Sequence, residues 1–105
     1  MVLGCISGII EKKKNGINLT SDILNIEIDF LSKSLELMRD AQQISNDAYL
    51  DSGSIQGGLT VISSLIKQNI SDTEIESLLY TLHSRALILD EKYPRLDSIL
   101  ENYRN

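Results

Sequence analysis

His83 is the only histidine in this chain and Cys5 the only cysteine, which narrows the chemistry it could perform. Nothing in the sequence ties either residue to a nucleophile–base pair of the kind covalent catalysis needs. A metal site built on His and Cys takes three or four ligands, more than one of each can supply in a single chain. A carboxylate–histidine site inside a helical bundle would place Glu three residues before His; Tyr80 holds that position. Gly57-Gly58 has neither the glycine spacing nor the following Lys-Ser or Lys-Thr pair of a phosphate-binding loop. The expectation is therefore a protein with no catalytic residue, no cofactor, no metal and no small-molecule substrate. Glu27, the one carboxylate inside the apolar arc of its helix, is expected at the edge of that arc, reaching water.

The residues with recognition chemistry are Tyr80, His83 and Leu87. They recur at i, i+3 and i+7 on one arc of a helix, turned away from that helix's apolar stripe, with Glu76, Asp90 and Glu91 beside them. An aromatic, a histidine and a leucine on an otherwise polar arc mark a second contact surface. Two readings are open. The arc meets the first helix or the C-terminal segment of the same fold, or it binds a partner with Tyr80 as anchor and charges as rim. Histidine ordinarily titrates near pH ~6.5, so burial of His83 in such an interface would make association sensitive to pH.

The elements that position this arc are helical. Val2, Leu3, Ile6, Ile9 and Ile10 predict a first helix to Lys14, stopped by Asn15-Gly16. Ser21 to Ile44 predicts a second, capped by Thr20, Ser21 or Asp22, and it carries two apolar seams. Leu24, Ile28, Leu31, Leu35 and Met38 form one; Ile23, Phe30, Leu37 and Ile44, with Ile26 and Ala41, form the other. Two seams imply partners on two sides, one seam facing the first helix and the other the third and fourth. Ser45–Gly53 reads as a loop from its Ser, Asn, Asp and Gly content. A third helix follows from about Ile55 to Gln68 or Asn69, in which Gly58 falls on the apolar side and predicts a close helix crossing. Ser71 and Glu74 form a capping box, flanked by Ile70 and Ile75 at the hydrophobic-staple positions, and open a fourth helix. Its stripe is Ile75, Leu78, Leu79, Leu82, Ala86 and Leu89. Pro94 breaks it, and Leu96, Ile99, Leu100 and Tyr103 predict a short last helix with Pro94 at its first position. The expected fold is all-α: a single domain over residues 1–105, an antiparallel up-down four-helix bundle with a short fifth helix, monomeric or dimeric.

Composition sorts the functional classes. Leucine and isoleucine supply 31 of 105 residues, enough for an aliphatic core without tryptophan. No apolar run approaches the ~20 residues of a membrane span. A net charge of −5, with acids and bases intermixed, disfavours a nucleic-acid partner, which selects a concentrated basic face. Lys12, Lys13 and Lys14 are the one basic cluster, and cations in a helix's last turn complement its dipole. One cysteine fits a reducing compartment, and a cytoplasmic location is expected. The expected function is stoichiometric binding of another protein, as an inhibitor, immunity protein, chaperone or adaptor. The alternatives are a dimeric helical regulator of transcription or signalling, and a structural subunit of a larger assembly.

Overall fold

Thr20, Ser45 and Ser71 each accept a hydrogen bond from the backbone N–H three residues on: from Ile23 at 3.3 Å, Ala48 at 3.1 Å and Glu74 at 3.3 Å. Each hydroxyl satisfies a donor that the start of a helix leaves without an intrahelical partner. The computed structural model describes residues 2–104, and these caps open three of its five helices: α1 Val2–Lys14, α2 Ser21–Asp40, α3 Asn46–Lys67, α4 Asp72–Lys92 and α5 Leu96–Asn102. The side chains of Val2 and Leu3, expected on the apolar face of α1, lie outside the described set. Among the described residues there is no strand, and no helix is long and apolar enough to cross a membrane.

Three helices end in the same way. Gly16 (φ 82°), Gln42 (φ 59°) and Asn69 (φ 59°) take the left-handed conformation. The next backbone N–H in each case reaches back over the last turn, Ile17 to Lys12, Gln43 to Met38 and Ile70 to Leu65, at 2.9–3.2 Å. Glycine and asparagine tolerate this geometry; glutamine at 42 accepts a cost. That stop shortens α2 to Asp40, four residues before its expected end at Ile44.

The expected loop over Ser45–Gly53 is instead the beginning of α3. Ser45 caps it, Asp47 sits in the first turn where the helix dipole favours an anion, and Ala48 and Ser52 are buried. The residue types that suggested a loop are those a helix start prefers. The last helix also differs from expectation, beginning at Leu96 rather than at Pro94, with no side-chain cap.

Packing follows the stripes. The core joins Cys5, Ile6, Ile9 and Ile10 of α1 to Leu24, Leu31, Leu35 and Met38 of α2. Ile55, Leu59 and Ile62 of α3 and Ile75, Leu79, Leu82, Ala86 and Leu89 of α4 complete it, with Leu96 and Leu100 of α5. The most extensive pairing is α2 with α3, followed by α1 with α4 and α3 with α4. Between α3 and α4, Lys92 reaches Asp51, Arg85 reaches Ser54 and Leu82 lies against Gly58, so residue numbers fall along one helix as they rise along the other. The close crossing expected at Gly58 is present: a Cβ there would stand 2.6 Å from a Leu82 methyl.

The two seams of α2 are used differently from expectation. The Leu24–Met38 seam faces the core, and α3 packs along its side, where the Ser63 hydroxyl donates to Asn25 at 2.9 Å. On the other side α2 meets α5 and α1, each through only a narrow contact. A seven-residue helix cannot cover a twenty-residue one, and Ile26 and Leu37 of the second seam remain exposed.

Candidate functional site

The C-terminal end of α1 and the N-terminal end of α4 lie side by side, and their electrostatics are matched. Lys12, Lys13 and Lys14 occupy the last turn of α1, where the helix dipole is negative; Asp72 and Glu74 occupy the first turn of α4, where it is positive. Lys13 Nζ stands 4.0 Å from Asp72 Oδ1 across the junction. A groove runs between the two helices as adjoining clefts of about 360 and 440 Å3 that share Ile10, Lys14 and Tyr80. The first is completed by Lys13, Asp72, Glu76 and Leu79, the second by Ser7, Glu11, Asn15 and His83.

The groove brings three of the five expected contact residues together. Tyr80 stands on its rim, 42% exposed, His83 is half-buried in its wall, and Glu76 lies at its edge. The floor is Ile10 and Leu79, both buried. The groove combines an apolar floor, an aromatic rim and charges of both signs. The arc thus lies against the first helix while leaving Tyr80 open. Leu87, at 41% exposure, continues the strip toward the C-terminal end of α4, outside the groove lining.

Asp90 departs from the expectation of an open flank. It is half-buried and its Oδ1 is shielded from solvent without a hydrogen-bond partner. Burial, reinforced by the negative charge of Asp97 on α5, pushes its carboxyl from an ordinary 3.8 up to about 6. It stands near Asp97 of α5, away from the groove lining.

A second cluster holds α5 in place. The Arg104 guanidinium donates to both carboxylate oxygens of Glu27 at 3.2 Å, to Glu101 at 3.0 Å and to Cys5 Sγ at 3.3 Å, and stacks 4.1 Å above the Phe30 ring. Burial alone would lower its pKa, but the Glu27 and Glu101 carboxylates raise it further, so the group stays charged. Burial, then the Glu27 charge, pushes the Cys5 thiol up to about 12, which leaves it protonated and unreactive. Glu27 thus pairs with a cation rather than reaching into water. Tyr103 adds a hydrogen bond to Gln43. Sequence reasoning found Glu27 but not its partner, 77 residues away, since nothing local announces so distant a pairing.

The remaining surface that sequence reasoning missed lies on the opposite side of α4. Ile88 is 65% exposed there, in a cleft shared with Asp51 and Ser54 of α3, and Leu50 (66%) and Val61 (57%) are exposed on α3. Among the described residues no group of three or more His, Cys, Asp or Glu side chains is placed to hold a metal ion. No protein-family model matches this chain, nor does any curated protein or solved structure.

Proposed function

We propose that this protein is a non-enzymatic module that binds another protein stoichiometrically, as an inhibitor, immunity protein, chaperone or adaptor does, through the groove between α1 and α4. In this reading the helices form an up-down bundle with α5 closing the side between α1 and α2. The partner inserts an apolar side chain over Ile10 and Leu79, with Tyr80 as the anchor and Leu87 extending the contact. Lys13, Lys14, Glu11 and Glu76 form the polar rim. The observation that carries it is Tyr80 itself, a large amphipathic side chain held open at the junction of two clefts with an apolar floor. Buried tyrosines find partners within their own fold; one kept at a groove rim supplies contact area at little entropic cost.

The test is affinity capture from the native host with the wild-type chain, the double variant Tyr80→Ser/Leu87→Ser, and the control Ile26→Ser on the exposed side of α2. The expected result is a partner retained by the wild type and the control and lost by the double variant, with helicity by circular dichroism unchanged. Retention of the same partner at undiminished yield by a folded double variant would overturn the reading. The regulator alternative draws on a different observation, the apolar surface shared by α3 and α4, because such a regulator acts as a dimer.

A further inference from the structure

Between Ser52 and Ile66 the third helix carries no charged residue, in a chain of which 24% is charged. Its outer surface is nonetheless in water: Gly53, Ser54, Gly57, Thr60, Val61 and Ser64 are exposed, as is Leu50 just before them. The neighbouring strip of α4 continues the pattern with Leu78, Thr81 and Ile88 exposed. Its cations there, Arg85 and Lys92, donate to Ser54 at 2.9 Å and to Asp51 at 3.0 Å. Charge depletion combined with protruding aliphatics distinguishes the centre of an interface from ordinary surface.

Two glycines sharpen this. Gly58 lies at the crossing with α4, where any side chain would have to displace the Leu82 methyls. Gly53 and Gly57 have no such neighbour: a Cβ at either meets nothing within 4 Å. Each weakens the helix relative to alanine and adds nothing to the packing of its own chain. With Leu50 and Ser54 they occupy i, i+3, i+4 and i+7, the four-residue diamond that receives one side chain of a facing helix, and three of its four members are small. Val61, the matching knob, stands on the same face one turn beyond Gly57.

We infer that the α3–α4 face is a homodimer interface in which α3 packs antiparallel to its copy, Val61 of each chain entering the Leu50–Gly53–Ser54–Gly57 hollow of the other. Knob and hollow lie on one helix face, so a two-fold axis near Gly57 satisfies both at once, the self-complementarity an isologous contact demands. The electrostatics select a second copy over a charged partner. Each chain carries −5. Two copies meeting through uncharged strips keep most of their like charges about a helix diameter apart, where salt screens them. A polyanion, an anionic lipid surface or a charged peptide would find only Arg85 and Lys92 to recognise, engaged by Ser54 and Asp51 of the same chain. The 22 residues of α3 span ~33 Å, and with the adjacent strip of α4 the face is on the order of 600 Å2 per copy, or ~1,200 Å2 in all, at the lower bound for a stable dimer. This surface is separate from the α1–α4 groove, so a dimer leaves that groove free.

Sedimentation equilibrium of the full chain between about 1 and 500 μM tests it, a range that brackets micromolar dissociation constants. The wild type is expected to approach twice the 11.7 kDa of one chain. Val61→Glu, at an exposed site, is expected to weaken association at least ~100-fold by placing like charges across the axis. Gly57→Leu is the diagnostic variant, filling the hollow while adding a better helix former where the monomer has room. It is expected to raise the Tm of dilute protein and lower the dimer fraction together, which a merely structural glycine would not do. Tyr80→Ser/Leu87→Ser is expected to leave the dimer intact, separating this inference from the binding function of the groove. A mass of 11.7 kDa throughout, or a dimer unaffected by Val61→Glu and Gly57→Leu, would overturn it.

Discussion

The two flanks of α4 are built from the same helix and present opposite surfaces. Toward α1 the contact has an apolar interior and a polar outer edge: a groove with an aromatic rim, lysines against carboxylates, and a half-buried histidine. Toward α3 a glycine admits a leucine at the crossing, and the outer face carries few charges. The difference follows from the partner helices. α3 is 22 residues long, capped at its start, and clamped between α2 and α4. α1 is 13 residues long, carries Gly4 and Gly8, and is held mainly by α4 and the short α5. A long helix braced on both sides can keep a flat face in register for a symmetric contact; a short one resting against a single long neighbour leaves a furrow. The α3 flank is the one proposed for self-association, and the α1 flank the one proposed for capture of another protein.

The largest effect expected is on the stiff flank. Gly58→Leu forces a side chain against the buried Leu82 methyls, which must shift, and should destabilise the fold by up to about 3 kcal/mol through overpacking. Gly57→Leu, one residue away, should instead stabilise dilute protein by roughly 0.5–1 kcal/mol, since it gains helix propensity in open space. Urea denaturation of both variants checks the pair. Equal destabilisation would mean that α3 is constrained on its outer face as well, and the contrast between the flanks would collapse.

Parts of this arrangement were legible in sequence because their causes are local. The Ser71–Glu74 cap is three residues wide, and the stop at Gly16 is one residue with one conformational preference. The Gly58 crossing could be read because a glycine on an apolar arc forgoes buried area, and a neighbouring helix coming close enough to need that space restores it. The end of α2 could not be read, because it depends on Gln42 adopting a conformation that its residue type disfavours. The start of α3 was obscured by chemistry that loops and helix N-termini share. For the surfaces, periodicity placed Tyr80, His83 and Leu87 on one arc but could not say which would be covered. Leu78 read as part of the buried stripe and is exposed, whereas Asp90 read as flank and is half-buried. Both outcomes depend on where neighbouring helices cross α4, which the helix's own sequence does not encode.

A middle-sized effect is expected on the furrowed flank. Arg104 joins α5 to α2 through Glu27 and Phe30, and to α1 through Cys5. Because α1 has little contact with α2, this clasp is what secures its outer side. Arg104→Ala should cost about 1–2 kcal/mol, as a two-pronged, partly shielded ion pair and a ring contact are lost together. Arg104→Lys should recover little of it, because an ammonium cannot stack and bridge at once. Amide hydrogen exchange locates the effect: protection is expected to fall in α1 and α5 and to hold in α3. Uniform loss along the chain would show the two flanks to be one cooperative unit.

The smallest effect is electrostatic and carries a definite sign. Asp90 is raised to about 6 in the folded chain from an ordinary 3.8, by burial first and by Asp97 second. Above pH ~6 the folded state holds this carboxylate ionised against both costs. Between about 6 and 4 it takes up a proton that the unfolded chain does not yet bind, so stability rises as pH falls through that window and levels off below it. The full shift overstates the energy, because the group remains partly in solvent and screened; about 1 kcal/mol or less is expected. Asp90→Asn should therefore stabilise the protein near neutral pH, and its advantage should shrink to nothing by about pH 4, where the wild-type carboxyl is itself neutral. Urea denaturation of both proteins across that range checks it. A difference between variant and wild type that stays flat throughout would show that Asp90 is fully hydrated in solution. The α4–α5 contact would then be as open to water as the groove beside it, and the furrowed flank would extend along the whole of α4.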